Sequence, residues 1–216
     1  MGNDKLFWES EIHAYDTPHG RLRLIARVLQ SLNIHSVFDI GCGHGYLGSL
    51  VGSATYSGCD MIDGAKATFP FFPCNINEDP LPSELAEFDA IVCSGILEYV
   101  DDLPLFLKQL FGRMSNRAWL VATYYNMNHI SRVSRLLLGG SFGVHRGWRG
   151  FYSPRDVRRL IRDAGFLSTA EYVTRFGLSR DPGLQAVGAS AVNLRRYFPG
   201  SHLFANQIIY VARVER

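Results

Sequence analysis

Apolar residues recur along this chain at two spacings, and the alternation between those spacings sets the expected fold. Over residues 22–32 (LRLIARVLQSL) they fall three and four apart, as on one face of a helix, and Asn33 ends the run. Residues 36–40 are a short run of β-formers. Glycines at 41, 43 and 45 then turn the chain into a second helix expected near 47–51. Further strands are expected around 55–59, 69–74, 88–94 and 118–125. These runs are mostly apolar rather than alternating, as suits strands covered on both faces of a parallel sheet. Apolar positions 100, 103, 106, 107, 110, 111 and 114 mark one face of a helix over 100–114. Ser153 before Pro154 opens another helix that runs to Gly165, a residue suited to a left-handed cap. Two last β segments are expected near 167–176 and 205–214.

Strands alternating with helices imply an α/β fold, an open sheet with helices on both faces. Composition agrees: 216 residues with 47% hydrophobic and 19% charged side chains bury a sizeable core, and one domain over 1–216 is expected. A net charge of +2 argues against a whole-surface nucleic-acid binder. No apolar run approaches the length of a membrane span, and Leu6 breaks the myristoylation pattern, so a cytoplasmic protein with no membrane partner is expected. Cys42, Cys59, Cys74 and Cys93 lack ligand-pair spacing, so reduced thiols and no metal are expected.

The stretch VFDIGCGHGYLG carries the chemistry. A glycine turn leaving the first strand lets a ligand touch main chain at the amino end of the next helix, where N–H groups are unpaired. Asp39 is expected within this turn region. Asp60, ending the second strand, is placed to accept hydrogen bonds from both hydroxyls of a ribose. A nucleoside-containing cofactor follows. The third glycine of an NAD-type GxGxxG would fall at Tyr46, so the spacing is GxGxG instead.

On these residues, with FDAIVCSGILEYVDDL and YSPRDVRRLIRDAGF further along, the sequence resembles class I S-adenosylmethionine (SAM) dependent methyltransferases of the small-molecule type. The resemblance implies a Rossmann-like doubly wound sheet of seven strands, mostly parallel, with an antiparallel strand at the C-terminal end. Its first motif places Asp39, Gly41, Cys42, Gly43, Gly45 and Tyr46 beside the cofactor, with Asp60 and Met61 at the ribose. Asn75 and Ile76 would cap the adenine, Ser94 and Gly95 would face the cofactor, and Tyr15 resembles an aromatic that closes over it. Residues 1–35 would form a helical lid, with 126–153 and 177–204 as insertions on the substrate side.

The implied reaction moves a methyl group from SAM to an O, N or C atom of a small molecule, such as an acidic metabolite or glycan precursor. His145 is the candidate base, because imidazole takes protons near neutral pH, and Tyr99 is placed to line the transfer site. Of the arginines at 132, 135, 146, 149, 155, 158, 159 and 162, some on the helix opened by Ser153 are expected to form a solvated face, and the rest, with Phe142, Trp148, Phe151 and Tyr152, offer bidentate contacts to a phosphate- or carboxylate-bearing acceptor. The same arginines with neighbouring aromatics leave RNA as a substrate open. A non-catalytic methyltransferase-like subunit and an NAD-dependent oxidoreductase are the remaining alternatives.

Overall fold

The computed structural model describes residues 20–62, 68–141, 147–173 and 205–216. Helix α1 (Gly20–Ser31) leads into β1 (Ser36–Ile40), β2 (Thr55–Asp60), β3 (Phe71–Pro73) and β4 (Ala90–Cys93). Then come α2 (Leu103–Arg113), β5 (Trp119–Tyr125), α3 (Ile130–Leu137), α4 (Pro154–Asp163), β6 (Leu167–Val173) and β7 (Gln207–Arg213). The seven strands form one sheet in the order β3-β2-β1-β4-β5-β7-β6. β1 pairs in parallel with both β2 and β4, and β7 runs antiparallel to β5 and β6. The expected fold class is therefore the observed one.

Each face of the sheet has its own core. Phe38, Ile40, Ile91, Cys93 and Leu120 pack with Leu103, Phe106, Leu107 and Leu110 of α2 and with Val157 and Ile161 of α4. Val37, Val92, Val121 and Ile209 on the opposite face pack with Leu24, Ile25, Val28 and Leu29 of α1. Residue parity along β1 thus sends Asp39 to the α1 side. The order reverses between β1 and β4, so the loops leaving these two strands flank an open crevice at their carboxyl ends.

Three elements depart from the sequence reading. The helix expected over 100–114 starts at Leu103, because Asp102 accepts the Leu105 N–H at 2.9 Å and Pro104 is tolerated only in the first turn. The helix expected at 47–51 is one 3-10 turn, Gly48–Leu50, since Gly48 and Gly52 interrupt it. Helix α3 forms where the reading had only an insertion. The cap signals around α4 hold: Ser153 and Asp156 form a reciprocal capping box, and Gly165 takes φ +110.

Candidate functional site

The glycine turn is folded back on β2. The N–H groups of Gly41 and Cys42 both donate to the Cys59 carbonyl, at 2.8 and 3.1 Å, and Gly45 N–H closes the turn on the Cys42 carbonyl. Asp60 completes the arrangement, one carboxylate oxygen accepting from Gly43 N–H at 2.8 Å and the other from Ile62 N–H at 3.1 Å. Burial raises the carboxyl pKa, opposed by the N–H groups of Ile62, Gly43 and Met61.

Gly41, Gly43 and Gly45 all have positive φ, at +73, +52 and +71, yet what surrounds them differs. A Cβ on Gly41 would lie 2.1 Å from the Ile96 side chain, and one on Gly45 would lie 2.1 Å from the Phe69 ring. A Cβ on Gly43 would meet none of the described residues within 4 Å. Two glycines make room for the protein itself, and Gly43 is the one that does not.

Asp39, within the strand expected over 36–40, belongs to β1 and not to the turn that follows, and is 2% exposed. Tyr56 donates its hydroxyl to one Asp39 oxygen at 2.8 Å, and the other oxygen has no partner. Burial lifts this carboxyl from 3.8 to about 7. Across the crevice, Ser94 is buried with its hydroxyl unpartnered, and Gly95 N–H donates to Thr123 Oγ1 at 2.7 Å. Glu98, 1% exposed, accepts Tyr125 N–H at 2.6 Å through one oxygen and leaves the other unpartnered. Its carboxyl is likewise raised by burial, to about 7.

Arg21 was missed by the sequence reading. Its guanidinium lies over Gly95, where a Cβ would come within 2.7 Å of Nη1. Its charge acts on both Asp39 and Glu98, and its buried Nε has no acceptor. A signal was present: Arg21 and Arg23 occupy the first turn of α1, where the helix dipole disfavours cations and no acid compensates. A local rule broken in this way often marks a functional position.

The remaining candidates fall around this centre. The Cys42 side chain packs against Gly58, and Tyr46 is half-buried, edge-on to His44 at 5.8 Å. Met61 is half-buried beside Asp60, and Ile76 packs at the edge of the α2-side core. Asn75 uses its side-chain oxygen to accept Asn77 N–H at 3.1 Å. Asn77 in turn joins the two halves, donating to the Tyr99 carbonyl and accepting Asp101 N–H, each at 2.9 Å. Tyr99 sits half-buried in the 3-10 turn Leu97–Tyr99. Tyr15 and His145 lie outside the described residues, as does all of 177–204.

Four of the arginines have partners within the protein. Arg158 forms a two-pronged pair with buried Glu171, Arg159 pairs with Asp156, and Arg149 pairs with Asp101. Arg132 donates to the Asn126 carbonyl. Among the described residues no group of His, Cys, Asp and Glu is arranged to hold a metal.

A sheet of this order, with an acid-tethered glycine turn where the order reverses, defines a class I SAM-dependent methyltransferase fold. Residues 11–170 match the family described as Methyltransferase domain, and the chain belongs to that family. It is similar to the mitochondrial ubiquinone biosynthesis O-methyltransferase of Bos taurus, 24% identical over 151 residues, covering 60% of this chain and 40% of that protein. The ubiquinone biosynthesis O-methyltransferase of Nitrosomonas europaea is 22% identical over 168 residues, covering 69% of this chain and 71% of its own. The match thus spans less than half of the bovine relative. A SAM-dependent methyltransferase from Thermotoga maritima superposes with a TM-score of 0.66 at 16% identity, covering 99% of this chain and 96% of that one, a likeness of fold. SAM is the cofactor of this class, and other fold neighbours hold SAM or S-adenosylhomocysteine.

The residues present fit that cofactor. Its methionyl end carries an ammonium and a carboxylate. The unpartnered oxygens of Asp39 and Glu98 and the unpartnered Nε of Arg21 have complementary charge.

Two outcomes test this geometry. Gly41→Ala adds a collision to a left-handed backbone and should destabilise the fold by about 2–4 kcal/mol in denaturant unfolding, whereas Gly43→Ala should cost only about 1–2 kcal/mol. Gly43→Ala should nonetheless bind S-adenosylhomocysteine more weakly than Gly41 and Gly43 together allow in the parent; unchanged affinity would mean that no cofactor passes over Gly43. The buried carboxylates give a pH signature. Asp39 and Glu98 titrate near 7 when folded against 3.8 and 4.5 otherwise, so the folded chain holds extra protons between about 4 and 7. Stability of the cofactor-free protein should therefore fall as pH rises through that window, and Asp39→Asn with Glu98→Gln should flatten the slope.

Proposed function

We propose that the chain transfers the methyl group of SAM to a hydroxyl oxygen of a small molecule. The observation that carries this reading is the set of unpartnered buried atoms on Asp39, Glu98 and Arg21, together with Gly43, the one glycine of the turn at which a Cβ would meet none of the described residues. In the roles proposed here, Asp60 accepts the ribose hydroxyls with its remaining lone pairs, and Gly43 lies against the methionyl portion. Arg21 receives the carboxylate, while Asp39 and Glu98 receive the ammonium. Asn75, its oxygen turned to Asn77, offers its amide N–H to the adenine ring. Ser94, Gly95 and Tyr99 line the wall opposite, toward the acceptor.

Bound SAM supplies an electrophilic methyl on a sulfonium, which needs no metal or redox partner to react. The protein must then hold the acceptor in line and keep water out. Alignment of this kind is worth up to about 7–11 kcal/mol in favourable cases. A hydroxyl must also lose its proton, and His145 is the group proposed to take it. Oxygen is preferred to nitrogen because both curated relatives are O-methyltransferases.

Isothermal titration with SAM and S-adenosylhomocysteine is the direct test, and failure of both to bind folded protein would remove the proposal. Asp60→Ala should weaken either ligand by about 1.5–3 kcal/mol, the worth of hydrogen bonds to a charged group. His145→Ala should leave those affinities unchanged and slow turnover of a phenolic acceptor, with partial recovery at raised pH. Equal turnover would relieve His145 of the role.

A further inference from the structure

Among the described residues Tyr56 alone bonds to the Asp39 side chain, donating its hydroxyl to Oδ2 at 2.8 Å. Strand register sets up this contact. In the parallel pairing of β1 with β2, Val37 stands opposite Tyr56 and Asp39 opposite Gly58. Tyr56 packs with Val37 in the core on the α1 side, the side to which Asp39 also points, so the two residues are diagonal neighbours on one face. Gly58, directly across from Asp39, has no side chain to come between them. The ring is clamped as well. Phe69 meets it edge-on at 4.9 Å, and a Cβ on Gly48 would come within 2.8 Å of its Cδ1.

The bond acts on direction and on charge. With Oδ2 engaged, Oδ1 is the buried oxygen left without a partner. Burial pushes Asp39 up to about 7, and the Tyr56 hydroxyl works against that rise, since a hydrogen bond given to the ionised form favours it. Other groups face the same carboxyl. Asp60 at the end of β2 raises it further, and Arg21 of α1 lowers it. Cys42 in the turn and Cys93 of β4 also feel its charge, but burial pushes both thiols up and they stay neutral. Tyr56 is itself pushed up, by burial first and then by Asp39, so it remains a donor.

We propose that Tyr56 is a positioning residue for the cofactor, its hydroxyl holding Asp39 Oδ2 so that Oδ1 meets the cofactor's ammonium as a charged carboxylate. This role rests on the reading of Asp39 as a partner of that ammonium. It is exerted through Asp39. An ammonium is attracted to an ionised carboxylate and much less to a neutral one, so cofactor affinity rises with pH as Asp39 ionises. Its sense is opposite to that of the stability of the cofactor-free protein. Without the Tyr56 hydroxyl, Asp39 keeps its proton to higher pH and the rise in affinity moves with it. Glu98, also raised to about 7, contributes a step of its own, and Tyr56 is not among the groups that act on it.

Titration calorimetry with two ligands, between about pH 5.5 and 8.5, tests the proposal on the parent and on Tyr56→Phe, which keeps the ring and loses the hydroxyl. S-adenosylhomocysteine carries the ammonium. Methylthioadenosine has the same adenosine and sulfur without the amino-acid tail. A hydrogen bond to a charged group corresponds to about one to two pH units, so Tyr56→Phe should bind S-adenosylhomocysteine about tenfold more weakly near neutral pH. Near the top of the range it should come within about threefold of the parent. Methylthioadenosine should bind both proteins alike at every pH. Equal losses for the two ligands would make Tyr56 a packing residue and overturn the proposal, as would an S-adenosylhomocysteine profile that the substitution leaves unmoved. The parent supplies an arm that needs no variant: its affinity for S-adenosylhomocysteine should climb with pH while that for methylthioadenosine stays level, and level profiles for both overturn the proposal. Failure of both ligands to bind the folded parent would remove the cofactor reading, and this role with it.

Discussion

The site depends on one carboxylate. Asp60 ends β2, and its two oxygens take N–H groups from two different turns, Gly43 in the loop after β1 and Ile62 in the loop after its own strand. A charged acceptor shared between them fixes both relative to the sheet edge, and burial strengthens each bond by excluding competing water. The same burial penalises the charge, so the bonds and the ionised state support one another.

Around that centre the protein holds more charge than it neutralises. Asp39 and Glu98 are nearly without exposure, each with an oxygen lacking a partner, and Arg21 reaches toward both while its own Nε is unmatched. Unsatisfied buried polar atoms cost stability, so a fold tolerates several together where something else gives a return. A zwitterionic cofactor tail has charges of both signs to offer such atoms, and it is on this complementarity that the proposed placement of the cofactor rests.

The insertion between β5 and α4 follows a different logic. Arg132 is drawn inward by the Asn126 carbonyl and the Tyr125 ring, and this turns the aliphatic side of α3 to the outside. Catalytic core and projecting helix thus join at Tyr125 and Asn126, where β5 ends. Glu98 reaches the same point through Tyr125 N–H. One strand end therefore serves both the crevice and the outward face.

Much of this was legible in the sequence. The strands and most helices follow from the period of apolar residues, and the glycine turn and Asp60 follow from residue type and spacing, because such patterns are local properties of a chain. Asn77 and the inverted face of α3 were not legible, and Arg21 left only an indirect signal in the uncompensated cations that open α1. Sequence alone determined the order of the elements and the place of the crevice. Only the tertiary structure decided that Ile96 and Phe69 fill the space over two glycines and not over Gly43, that Arg21 covers Gly95, and which way α3 faces. Each of those outcomes depends on contact between residues brought together by the sheet, and no period within a single segment encodes such a contact.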